Sequence, residues 1–165
     1  MRTKKITFLS LMVAVALILS YIEAILPPIS AAVPGIKMGF ANIIIIFTLY
    51  RFSVKEAAVV SILRLFISTL LFSSPWTFVY GAAGAVLSLI VMALLKKLDF
   101  LSKVGVSVVG AVSHNLGQII VAMIFLRTAQ IGYYMIILAI TGTIAGVFIG
   151  ICGAALIKAL KNVKI

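Results

Sequence analysis

Six apolar stretches, each near the length that crosses a bilayer and each closed by charged or turn-forming residues, divide this chain of 165 residues. A spanning helix needs about 20 mostly apolar residues at about 1.5 Å each. On that basis the sequence predicts helices over about 6–26, 36–50, 54–72, 78–95, 104–126 and 133–160. Pro27 and Pro28 stop the first, Ser73, Ser74 and Pro75 the third, and Lys96 and Lys97 the fourth, while the second is short and ends before Arg51. The expected fold is an all-α integral membrane bundle of six transmembrane helices, a single domain over residues 1–165.

Composition excludes the main alternatives. Hydrophobic residues make up 64% and charged residues 10% of the chain, against about 25% charged in a typical globular protein, so a lipid-facing surface is required. The net charge of +11 does not imply nucleic acid, because long apolar runs separate the lysines and leave no basic polar face. One cysteine, Cys152, allows neither an internal disulfide nor a CxxC motif. Lys4 and Lys5 ahead of an apolar run, with Ser30, Ala31 and Ala32 beyond it, also fit a cleaved signal peptide. The run is longer than the roughly 7 to 15 residues of a signal core, and five more spans follow, so a retained first helix is expected.

Basic residues set the orientation. Arg2, Lys4, Lys5, Arg51, Lys55, Lys96, Lys97, Lys103, Lys158, Lys161 and Lys164 fall on one side of six alternating spans, and Lys37 and Arg127 on the other. Arg64 lies within a span. The positive-inside rule makes the richer side, with both termini, cytoplasmic, in a multi-pass protein of the cell membrane.

Small residues four apart let helices approach closely in lipid, where no hydrophobic drive brings one helix to another. Gly142, Gly146, Gly150 and Ala154 form such a ridge in helix six, beside Ala145, Ile149 and Gly153. Helix four has Gly81 with Ala85 and Gly84 with Ser88, and helix one has Ser10 with Ala14 and Ala16 with Ser20. Packing within the bundle explains helices four and six. The groove of helix one can instead receive another subunit.

A charge at mid-bilayer costs about 2.5 to 3.5 kcal/mol on insertion scales and normally faces a bundle interior. Arg64 lies about 15 Å into helix three, and His114 is at similar depth in helix five, where His114 and Gln118 share a face flanked by Asn115. Asn42, Glu23 and Tyr80, near the outer ends of helices two, one and four, point to the same level. Together these residues predict an outward-facing polar pocket. The guanidinium offers a carboxylate or phosphate two parallel donors, and the amides orient a small molecule. Glu23 neutralises Arg64 or Lys37 in the empty site, or meets a cationic part of the solute. Mutual hydrogen bonding that locks the bundle is the alternative role for each group. Trp76, Tyr133 and Tyr134, at span ends, read as interfacial anchors.

Catalytic chemistry is missing. A prenyl-diphosphate synthase holds Mg²⁺ on Asp-rich clusters, but the acids here, Glu23, Glu56 and Asp99, are dispersed. There is no GxxxxGK[ST] loop for ATP, and His114 lacks ligating neighbours. No catalytic residue, metal or cofactor is expected, and ATP-driven work requires partner chains.

The run Gly35-Ile36-Lys37-Met38-Gly39-Phe40-Ala41-Asn42-Ile43, then Lys55-Glu56-Ala57 with Arg64, then Ser113-His114-Asn115-Leu116-Gly117-Gln118, resembles the Gx transporter family, also called heptaprenyl diphosphate synthase component I. The resemblance covers nearly the whole chain in order and spacing. That family is similar to the substrate-binding membrane subunits of energy-coupling factor transporters, which are six-helix proteins that capture vitamins or their precursors. The resemblance implies docking on a transmembrane coupling protein and two ATPases, often through small residues of helix one. Here the usual Ala-xxx-Ala spacing is absent, since Ile18 follows four after Ala14, and the Ser10, Ala14 and Ala16, Ser20 pairs stand nearest to it. The synthase name implies instead a membrane subunit assisting a soluble polyprenyl synthase. The expected function is therefore capture of a small anionic solute with ATP hydrolysed by partners, and the alternative is a non-catalytic synthase component.

Overall fold

A computed structural model describes residues 2–26 and 39–163. Within them the chain is all-helical. It forms α1 (Arg2–Ile25), α2 (Asn42–Arg51), α3 (Val54–Phe72), α4 (Pro75–Leu98), α5 (Lys103–Leu126) and α6 (Tyr134–Ala159), with a 3₁₀ turn over Ala129–Tyr133 ahead of α6. The helices of α1, α4, α5 and α6 are long and apolar enough to cross a membrane. α3 is as long as a span but carries Lys55, Glu56 and Arg64, and α2 has 10 residues, about 15 Å, or half the hydrocarbon thickness. The chain is a multi-pass membrane protein, and its surface agrees: Ile62, Leu70, Ile90, Leu94, Ile124, Ile136 and Ile144 all face outward.

Local chemistry sets the helix starts. Ser53, Ser74 and Ser102 cap α3, α4 and α5, each with its hydroxyl accepting from a backbone amide of the first turn. Pro75 occupies the first turn of α4, where its missing N–H costs nothing. Hence α4 starts at Pro75 rather than near 78, and a residue expected only to end one helix begins the next. α4 also runs through Lys96 and Lys97 to Leu98, because lysines suit the negative end of a helix, and it stops at Asp99 in the left-handed region, φ 53°. Likewise α1 takes in Lys4 and Lys5 from its start at Arg2.

The second helix was expected over 36–50 and begins later. Gly39 has φ +80°, a conformation that ends any helix running back from Asn42, and Phe40 and Ala41 form a turn. Residues 36–38 lie outside the described residues. The sixth helix, expected from about 133, begins at Tyr134, with Tyr133 closing the 3₁₀ turn.

α5 packs along both α4 and α6, and its neighbours approach through glycine. A Cβ on Gly117 would stand 2.8 Å from the Ala83 carbonyl oxygen, one on Gly146 2.6 Å from Val108 Cα, and one on Gly150 2.7 Å from Val104 Cα. The helix-six ridge of Gly142, Gly146 and Gly150 is thus spent on α5 inside the bundle. α2 is enclosed, with Ile44, Ile45, Ile46, Phe47, Thr48 and Leu49 all buried, and it joins Met12, Val13 and Ala16 of α1 and Ala57 and Val60 of α3 in the core.

One end of the bundle gathers the cations. Lys5 Nζ meets Glu56 at 2.5 Å, Lys96 Nζ donates to the Leu49 carbonyl oxygen at 2.5 Å, and Arg51 donates to the Val163 carbonyl oxygen at 2.8 Å. Lys96 and Lys103 both lie over the Tyr50 ring, at 5.3 and 5.9 Å.

Candidate functional site

Arg64 projects from the middle of α3 into the bundle, where only 8% of its surface is exposed. Around it lies a cavity of about 40 Å³, walled by Ser20 and Glu23 of α1, Gly39 and Asn42 at the start of α2, and His114 and Gln118 of α5. Ser68 and Thr69 of α3, Ser73 after it, and Thr77 of α4 complete the polar wall, with Leu65 and Gly81 as its apolar part. A volume of that size holds a few waters, well below the roughly 300–1,000 Å³ of pockets that enclose a drug-sized ligand.

The polar groups are incompletely paired. Arg64 Nη1 donates to Ser20 Oγ across a long 3.4 Å, and Arg64 Nε has no hydrogen-bond partner among the described residues. Glu23 interacts electrostatically with Arg64 and accepts from the Gly39 amide, so one carboxylate is shared between the cation and the turn entering α2. Gly39 suits that turn twice over. Its positive φ favours glycine, and a Cβ would stand 2.7 Å from Asn42 Nδ2.

On α5, Gln118 Nε2 lies 3.2 Å from His114 Nε2. With the amide as donor, His114 Nε2 is the acceptor, and His114 Nδ1 is buried with no partner among the described residues. Gln118 Oε1, also buried, has no partner among the described residues. The hydroxyls of Ser68 and Thr69 both donate to the Leu65 carbonyl oxygen, at 3.0 and 2.8 Å, which leaves their oxygen lone pairs as acceptors. The wall thus combines a guanidinium, a carboxamide oxygen and two hydroxyl oxygens with free lone pairs. That set suits a carboxylate or phosphate joined to an N–H or O–H donor.

Of the residues expected here, the structure brings together Arg64, His114, Gln118, Asn42 and Glu23. Asn115 is placed elsewhere. It is one residue from His114, about 100° around the helix, and its Nδ2 donates to the Leu138 carbonyl oxygen at 2.8 Å, tying α5 to α6. Tyr80 is half-buried and does not line the cavity, and Lys37 lies outside the described residues. In α1 the small-residue pairs divide: Ser10 and Ala14 are exposed, whereas Ala16 and Ser20 are buried. Ser20 thus belongs to the cavity rather than to an outer groove. Sequence reasoning also passed over Ser68, Thr69, Ser73 and Thr77. Their spacing from Arg64 was the available signal, since Ser68 falls one turn beyond it on the same face of α3.

Among the described residues no group of three His, Cys, Asp or Glu side chains is arranged to hold a metal ion. A family model described as heptaprenyl diphosphate synthase component I matches residues 12–156, a stretch containing every residue of the cavity wall. No curated protein and no solved structure matches the chain.

Proposed function

Since the chain belongs to the heptaprenyl diphosphate synthase component I family, we propose that it is a membrane component that captures a small anionic solute and passes it inward, with ATP hydrolysed by partner chains. The reading rests on one observation, a buried guanidinium in the wall of a polar cavity, its Nε unpaired among the described residues. A charge in that position is costly to keep in a membrane helix. Packing alone would be served by an apolar side chain. The proposed topology is six helices crossing or entering the bilayer, both termini cytoplasmic, with α2 as a buried half-span; the clustering of Lys5, Arg51, Lys96 and Lys103 at one end supports it. The chain is proposed to be non-catalytic, acting in the cell membrane alongside a transmembrane coupling protein and ATPases.

A second reading follows the family's description, a non-catalytic membrane subunit of a polyprenyl diphosphate synthase. The basic end of the bundle favours it as a surface on which a soluble enzyme could sit.

Affinity purification from native membranes, with mass spectrometry of bound proteins and small molecules, separates the two. Co-purifying ATPases and an anionic solute that is lost from Arg64→Lys support solute capture. A soluble polyprenyl synthase recovered with no bound solute supports the second reading and removes the first.

A further inference from the structure

A second concavity lies at the lysine-rich end, away from the polar cavity. α3 and α4 meet near Gly81, where a Cβ would stand 3.1 Å from Leu65 Cδ2. Toward the end of α4 a groove of about 610 Å³ opens between α4 and the α2–α3 connection. Leu89, Ile90, Ala93 and Leu94 of α4 form one wall, Phe52 and Val54 the other, and Lys96 and Lys97 stand at its end. The apolar walls lie on the outward surface of a membrane protein, so the groove opens to lipid rather than to the bundle interior.

The groove's charge selects what fills it. Lys97 is exposed, whereas Lys96 is held at the rim by the Leu49 carbonyl oxygen. Ser53 and Val54, the cap and first residue of α3, border the same space, so the positive end of that helix adds to the lysines. Of the nearby acids, Glu56 is paired with Lys5 and Ser53. Asp99, two residues past Lys97, is outnumbered by Lys55, Lys96 and Lys97. Basic pockets between membrane helices, with an apolar floor beneath, are suited to anionic lipid headgroups.

We propose that this groove holds one molecule of an anionic phospholipid, an acyl chain lying along Leu89, Ala93 and Leu94 and the phosphate resting at Lys97 beside the start of α3. The lipid fills the groove between α4 and the α2–α3 connection and is a bound component of the protein.

Native mass spectrometry of the detergent-purified full chain, titrated with phosphatidylglycerol or phosphatidylcholine, tests this. One phosphatidylglycerol should be retained in preference to phosphatidylcholine, and Lys97→Gln should lower that preference about fivefold. Ala93→Trp, which fills the groove, should abolish retention of both lipids. Ala93→Leu serves the same purpose should the tryptophan variant fail to fold, with circular dichroism and gel filtration as the check. Glycerol 3-phosphate, a headgroup without a chain, should not displace the lipid. Equal retention of phosphatidylcholine, an unchanged preference in Lys97→Gln, wild-type retention in a folded groove-filling variant, or displacement by glycerol 3-phosphate would each overturn the proposal.

Discussion

Gly84 of α4 and His114 of α5 are in contact so close that a single methyl group would separate them. A Cβ on Gly84 would stand 2.7 Å from the His114 carbonyl oxygen and 2.9 Å from its ring Cε1. The histidine can therefore face the cavity, within reach of Gln118, only because the opposing helix presents bare backbone.

Gly84→Ala is expected to push α4 from α5, lower stability by about 1–3 kcal/mol and weaken solute binding together. Gly105→Ala is the control, since its Cβ would come no closer than 3.5 Å to any neighbour. That change should be neutral or stabilising through helix propensity. Thermal unfolding in detergent checks both, and equal losses in the two variants would show that glycine itself, rather than the contact with His114, sets the cost.

Arg64→Lys keeps the charge and loses the planar pair of donors. Solute affinity should fall at least tenfold while the protein remains folded, as read by a binding titration beside a melting curve. A folded Arg64→Lys or Arg64→Gln variant with unchanged affinity would remove Arg64 from the site and leave it to Asn42, His114 and Gln118.

Asn115→Ala should do the opposite. Its bond to the Leu138 carbonyl oxygen joins α5 to α6, and such interhelical bonds are worth about 0.6 to 1.7 kcal/mol. The variant should be less stable by that amount, melting earlier than the wild type, yet bind solute as the wild type does. A selective loss of affinity would return Asn115 to the binding surface.

Topology is open to single-cysteine labelling in a Cys152→Ser background. Cysteines placed near residues 37 and 127 should react with an impermeant reagent added outside, and those near Lys97 and Lys161 should not. The reverse pattern would invert the proposed orientation.

The sequence made the long helices legible because charge and proline mark the limits of a span, and it located Arg64 and His114 because a polar group in an apolar run stands out. It was less informative where a residue has two compatible roles. Pro75 reads as a stop and works as a start. Asn115 sits beside His114 in sequence, but one residue of helix turns it toward α6. Ser20 read as a packing or docking residue of helix one, and Ser68 and Thr69 were passed over because a hydroxyl in a membrane helix can satisfy itself on a backbone carbonyl, as these two do on Leu65. Only the spacing of Ser68, one turn beyond Arg64 on α3, pointed to a shared wall. The second helix was read as short, but its start at Asn42 depended on the backbone at Gly39, which composition does not reveal.

The cavity around Arg64, at about 40 Å³, also determines how affinity would have to be interpreted. A solute of a dozen or more heavy atoms has to enter a wider conformer, and the observed dissociation constant is then the intrinsic one divided by the fraction of molecules already wide. If that fraction were about one in a hundred, a contact set worth nanomolar binding would read as roughly 0.1 μM. A substitution that favours the wider conformer while leaving the cavity's own side chains in place, unlike Gly84→Ala, would tighten apparent binding. Weak affinity in the wild type would then report a rare open population as readily as poor recognition.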